Sequence, residues 1–180
     1  NLIQCRVHPV LVHKDNILSQ VLGVMNALLV TGDKFGTSML YGHGAGGDAT
    51  ASAVVANLVE AINFSCNKDM RNKSIFKNSG LNSFNVLKND AITSPFYLRI
   101  YALDISGVMA EITNILAKED ISIEAVTQHE PTDLDSPIPI VMITNNVSGL
   151  SINKSINKIE SLAHVEGKVH AIRVLKTDDK

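Results

Sequence analysis

Apolar and polar positions recur in three different rhythms along the 180 residues, and each rhythm predicts different elements. The clearest lies in residues 95–176. Tyr97–Leu103 alternates like a strand, with Leu98 and Ile100 inward. Asp104-Ile105-Ser106-Gly107 is a turn. Val108, Ile112, Ile115 and Leu116 then recur at helical spacing as far as Lys118-Glu119-Asp120. Ile121–Val126 and Ile138–Thr144 predict two further strands, separated by a loop containing Pro and Asp. Ile152, Ile156, Ile159 and Leu162 stripe a second amphipathic helix, and His170–Leu175 closes with a strand. The order is βαββαβ, the ferredoxin-like unit, which folds because one sheet face buries against both helices.

Residues 1–63 behave differently. Ile3–Val7 alternates like a strand, and an irregular stretch runs through Ser19. Asn26–Thr31 and Thr37–Tyr41 are short strands around Gly32–Gly36, a hairpin signal. Thr50–Ile62 favours a helix, with Val54, Val55, Leu58, Val59 and Ile62 forming a broad apolar face. A hairpin plus one helix buries too little surface to stand alone, so this zone is expected to be part of a larger domain. Opening on Asn inside a strand-like pattern, it also gives the expectation that something upstream has been removed. Residues 64–94 are rich in Asn, Ser and Lys. Their isolated apolar residues (Phe76, Leu81, Phe84, Val86) predict a linker with a helical turn near 74–78.

Composition narrows the function classes. Hydrophobic residues make up 45% and charged residues 19%, enough apolar material for a core. Sixteen Lys and Arg against eighteen Asp and Glu leave a formal charge of -2, so no nucleic-acid or anionic-membrane partner is expected. No apolar run is expected to approach the roughly 20 residues of a membrane helix, and the expected location is cytoplasmic. Cys5 and Cys66 lack a CxxC or Cys–His context and read as structural. His8, His13, His43, His129, His164 and His170 lack metal-ligand spacing, and Lys68, Arg71, Lys73 and Lys77 read as a solvated stretch.

Gly42-x-Gly44-x-x-Gly47, between a strand and a helix, formally matches the dinucleotide fingerprint. That fingerprint also needs a second parallel strand and an acidic residue about 20 positions on. Phe64-Ser65-Cys66-Asn67-Lys68-Asp69 offers no such strand. Two readings stay open. Either the glycines let backbones pass closely, or the loop faces a phosphate or cofactor in a domain completed elsewhere.

Longer blocks carry a resemblance. Arg6-Val7-His8-Pro9, Gly23-Val24-Met25-Asn26-Ala27, Tyr41–Gly47 and Thr50–Val55, with their mutual spacing, resemble the C-terminal part of homoserine dehydrogenases. Asp104-Ile105-Ser106-Gly107-Val108 and Ile121–Gln128 resemble an ACT domain, a regulatory module. The family usually has Pro where His43 stands, Leu-Pro or Gly-Pro at Asp48-Ala49, and Thr where Val10 stands. These departures bear on the loop's shape and leave the resemblance intact.

The resemblance implies an α/β (α+β) protein. Residues 1–63 would be a remnant of the catalytic and dimerisation domain, 64–94 a linker, and 95–176 the ACT domain. It implies NAD(P)-dependent interconversion of L-homoserine and L-aspartate 4-semialdehyde, in threonine, methionine and isoleucine biosynthesis. NADP or NAD would be approached by Gly46 with Gly44 beside it, although strong binding by this chain alone is not expected. The family's nucleotide domain, catalytic lysine and cation site match nothing here, so no catalytic or metal-binding residue is expected and the chain by itself should be inert. Asp104, Ile105, Gly107 and Val108 would bind a small amino acid, in this family L-threonine, in a dimer or higher homo-oligomer. The plainer alternative is that Asp104 and Ser106 only cap the helix. A different class, a non-enzymatic amino-acid-binding regulatory subunit, predicts a second Asp-x-x-Gly-Val turn in the first half, and residues 1–63 contain none.

Overall fold

The computed structural model describes residues 2–66, 85–128 and 136–176. It divides into two units, residues 1–13 with 84–180 and residues 14–83.

The first unit is built on β7 (Phe96–Ala102), α2 (Val108–Lys118), β8 (Ile123–Gln128), β9 (Ile138–Thr144), α3 (Gly149–Ile159) and β11 (Val165–Val174). This is the expected βαββαβ order. Strands β7 and β9 bury every second residue, because one face of the sheet meets both helices. Leu98, Ile100, Met142, Ile112, Leu116, Ile152 and Ile159 form the centre of that core. The strand order is β2-β11-β7-β9-β8, where β2 (Val10–Leu11) runs parallel to the end of β11. The remaining pairs are antiparallel.

The chain before Lys14 joins this unit at two places. β1 (Leu2–Ile3) pairs in parallel with β5 (Asn85–Val86), and β2 extends the main sheet. Of the strand expected over Ile3–Val7 only Ile3 is in a strand, because the two pairings of this segment fall on either side of residues 4–9 and each spans only two residues. Residues 85–94, expected as part of a linker, are instead threaded into structure. β6 (Thr93–Ser94) pairs with β10 (Val147–Ser148), and Ile92 is fully buried. Their apolar residues are sparse, but each has a partner from a distant segment. The helical turn expected near 74–78, the basic residues Lys68, Arg71, Lys73 and Lys77, and His129 lie outside the described residues.

Buried polar groups in this unit are mostly satisfied. Thr144 Oγ1 accepts the Phe96 N–H at 3.0 Å and donates to the Asn145 carbonyl at 2.9 Å. Ser148 caps α3 by accepting the Ser151 N–H. Lys158 of α3 bonds Glu119, at the end of α2, at 2.7 Å.

The second unit contains β3 (Met25–Gly32) and β4 (Gly36–His43), a hairpin in full register, followed by α1 (Gly47–Cys66). Helix α1 is longer at both ends than the periodicity predicts. Among the described residues of this unit none is buried. Leu28, Leu40, Leu58 and Ile62 are all more than half exposed. Helix α1 is 20 residues long with mean hydropathy 1.2, so by length and composition it could cross a membrane. This corrects the expectation that no apolar stretch approaches that length: Ala and Val spread around the helix raise its mean although Asp48 and Glu60 interrupt it. Cys5 and Cys66 are both exposed free thiols, not packed structural ones.

The two units should respond differently to truncation. Ile100→Ala is expected to lower stability by about 2–5 kcal/mol in urea unfolding, whereas Leu58→Ala should change it by less than about 0.5 kcal/mol. Lys158 also holds the Glu119 carboxyl below its ordinary pKa, chiefly through their hydrogen bond. A depressed carboxyl stabilises the fold at neutral pH and loses that contribution as pH falls through its folded-state value. Unfolding midpoints measured from neutral to acid pH should fall less steeply for Glu119→Gln than for the unsubstituted chain.

Candidate functional sites

Two turns, one in each unit, hold the residues singled out in the sequence. In the second unit, β4 ends at His43 and α1 starts at Gly47, so Gly44-Ala45-Gly46 makes the whole connection. The Gly44 N–H donates to the Val24 carbonyl at 2.9 Å and ties the loop to the hairpin. A Cβ on Gly44 would run into the Asn26 side chain, so any larger residue there would have to displace Asn26. Gly46 is different. It has φ +121°, a conformation that side-chain-bearing residues rarely adopt, and a Cβ would point into open space. Its carbonyl accepts both the Thr50 N–H (3.1 Å) and the Thr50 hydroxyl (2.8 Å), which starts the helix.

The glycine loop and the first turns of α1 border an open groove of about 810 Å³, walled by Gly46, Thr50, Ala51, Val54 and Val55. The wall is mainly aliphatic and backbone. Asp48 sits in the first turn of α1, where its carboxylate complements the positive end of the helix. A phosphate at the same end would meet that negative charge. The groove is therefore better suited to an uncharged flat surface than to a phosphate.

In the first unit, Asp104–Gly107 connects β7 to α2. Gly107 occupies the N-cap position with φ +101° and no side-chain cap. Asp104 and Ser106 thus do not cap the helix. Asp104 Oδ1 instead accepts from Gln128 Nε2 at 3.0 Å, which links the turn to the end of β8. The Ile105 N–H donates to Leu103, the Val108 N–H to Ile105, and the Glu111 N–H to Gly107. Ile105 is about half exposed, whereas the Val108 side chain belongs to the core. The structure thus brings Asp104, Ile105 and Gly107 together at the surface and leaves Val108 only its backbone to offer. Gln128 was missed as a site residue. Its signal was its place at the end of the Ile121–Gln128 block. Among the described residues no group of three His, Cys, Asp or Glu side chains is arranged to hold a metal.

Comparison with known proteins covers both units. A family profile described as homoserine dehydrogenase matches residues 1–59, and the ACT domain profile matches residues 96–164. The chain is 38% identical over 174 residues to a homoserine dehydrogenase of Pseudomonas aeruginosa, and 36% identical over 180 residues to one of Neisseria gonorrhoeae. These alignments take in 95% and 98% of the chain but 40% and 41% of the relatives. The crystal structure of a homoserine dehydrogenase from Thiobacillus denitrificans superposes with a TM-score of 0.81 at 37% identity, over 96% of this chain and 39% of that one. The chain thus spans about two fifths of the length of the relatives it matches.

The left-handed cap at Gly107 predicts a measurable penalty. Gly107→Val should destabilise the first unit by about 1–3 kcal/mol in denaturant unfolding, through backbone strain at a position with no side chain within 4 Å to clash.

Proposed function

We propose that this chain, which corresponds almost end to end to the C-terminal part of homoserine dehydrogenases, serves as the substrate- and dimerisation-side portion of such an enzyme together with its ACT module. The reaction is the NAD(P)-dependent interconversion of L-homoserine and L-aspartate 4-semialdehyde, a cytoplasmic step of threonine, methionine and isoleucine biosynthesis. The observation that carries this reading is the unbroken correspondence across both units, 37% identity and a TM-score of 0.81. A regulatory module alone would match only from residue 96 onward. The coreless second unit supports it too, since its exposed apolar hairpin and helix require further protein surface to become stable.

A nicotinamide cofactor, NADP or NAD, would accept the hydride from homoserine or, in its reduced form, donate it to the semialdehyde, and this chain would contribute one wall of its site. Gly46 leaves free the space a Cβ would fill, and Gly44 is held to Val24 so that the wall keeps its shape. The aliphatic positions Val54 and Val55 keep water from that surface. A bulky residue at position 46 would occupy the cofactor's space and strain the backbone together. Gly46→Val in the full-length enzyme should raise the nucleotide KM at least tenfold with a smaller effect on the homoserine KM. Unchanged nucleotide kinetics would limit Gly46 to shaping the turn.

At the other turn, the effector is a small amino acid, with L-threonine the best candidate, in an assembly of two or more copies. Its ammonium would meet the Asp104 carboxylate, its carboxylate the positive start of α2, and its side chain Ile105. Gln128 holds Asp104 in place through one oxygen and leaves the other for the ligand. Inhibition further requires that threonine bind two states of the enzyme unequally. Calorimetric titration of threonine should give saturable binding that Asp104→Ala weakens at least tenfold. Equal heats for the two proteins would remove Asp104 from the site.

A further inference from the structure

A cavity away from both turns lies within the first unit. It has a volume of about 220 Å³ and is lined by Cys5, Arg6, Val7, His8, Asn89 and Arg173. The segment Cys5–His8 crosses between the two short parallel pairings, β1 with β5 and β2 with β11, so its backbone is anchored on either side. Arg173 lies near the end of strand β11. Its Nη1 donates to Ser94 Oγ at 2.6 Å, and its guanidinium stacks over the Phe96 ring at 4.6 Å. Gly149 makes room for it, since a Cβ there would stand 3.1 Å from Nη2 and 2.9 Å from the Asn89 carbonyl. Arg173 is thus a pre-positioned fork with donors to spare.

The charge around this cavity is one-sided. Among the described residues no carboxylate lines it, and the ion pair the first unit does contain, Lys158 with Glu119, involves neither arginine. Burial and the charge of Arg6 both push the Arg173 pKa down from its ordinary value. Two like charges facing one small space repel, and that repulsion is relieved by an anion between them. The His8 ring bonds its own Pro9 carbonyl through Nδ1 at 2.7 Å, so that nitrogen carries the proton. The volume is below the range of drug-sized sites and suits a group of a few heavy atoms.

We propose that Arg6 and Arg173 form a binding site for a phosphate group, carried by inorganic phosphate or a small phosphomonoester. Phosphate is the oxyanion whose charge, about -1.5 to -2 at neutral pH, comes nearest to balancing two guanidiniums, and each guanidinium can bind it with paired N–H donors. Residues 5–8 fall within the homoserine dehydrogenase match, while Asn89 and Arg173 flank the ACT match on either side. A bound phosphate would therefore clamp the leading segment onto the regulatory sheet. The site stands whether or not the dehydrogenase reading holds, because its test is binding and not turnover.

The test is thermal unfolding of the 180-residue chain titrated with inorganic phosphate, against sodium chloride and sodium acetate at equal ionic strength, with equilibrium dialysis of labelled phosphate alongside. A saturable rise in midpoint with phosphate alone is expected. Arg6→Gln, at an exposed position, should keep the unliganded midpoint and weaken phosphate binding at least tenfold. Glycerol 3-phosphate binding more tightly than inorganic phosphate would identify a monoester as the ligand, and the reverse order would identify the free ion. No saturable response, an equal response to acetate, or undiminished binding by a folded Arg6→Gln protein would overturn the proposal.

Discussion

The burial of one face of the β7–β9 pair beneath α2 and α3 is the contact on which the rest of the first unit depends. Leu98, Ile100 and Met142 are completely removed from solvent, as are Ile112, Leu116, Ile152 and Ile159 on the two helices. At roughly 25 cal/mol per Å² of apolar surface, a set of this kind outweighs any single polar contact in the unit. Everything at the margin uses the sheet as a fixed base. The Asp104–Gly107 turn leaves from the end of β7, Gln128 reaches it from the end of β8, and Arg173 sits on the last residues of β11. Among the described residues two buried atoms break the pattern: the Ser155 hydroxyl and Arg99 Nε are enclosed without a hydrogen-bond partner, a cost the surrounding apolar contacts offset.

The second unit shows what happens when the same physics lacks material. The hairpin is regular through eight register pairs, and α1 has good helix-forming residues. Yet neither element covers the other's apolar positions enough to bury one. Hydrogen bonds within hairpin and helix keep their shapes, while the apolar faces remain available to other surfaces. The two units thus differ in that the first carries its own core and the second does not. The groove at Gly46 is open on one side, whereas the Asp104 turn is already braced by Gln128.

Local periodicity was sufficient for the first unit because its elements are long and each buries a face against the same sheet. Leu98 and Ile100 could be placed inward from alternation alone, and Ile138–Thr144 could be bounded to the residue. Periodicity failed where pairing is short and distant. Nothing in Asn85–Ser94 announces that Val86 meets Ile3 or that Ile92 enters the core, because a two-residue strand has no period. The true extent of α1 was hidden for a related reason: Gly47 and Asp48 are weak helix signals, and only the Thr50–Gly46 bonds show where the helix begins.

For the candidate sites the division is similar. The amino-acid sequence by itself determined the βαββαβ order, the glycine loop, the Asp104–Gly107 turn and the resemblance to homoserine dehydrogenases, since all of these live in contiguous blocks. Tertiary structure alone decided that a side chain at Gly44 would meet Asn26 while one at Gly46 would meet no neighbour. It also decided that Gln128 restrains Asp104, that Val108 is spent on the core, and that Arg6 and Arg173 face one cavity from 167 positions apart. Those outcomes depend on which distant side chains meet. Chain folding sets such meetings through strand register and core packing, and no local pattern of residues encodes them.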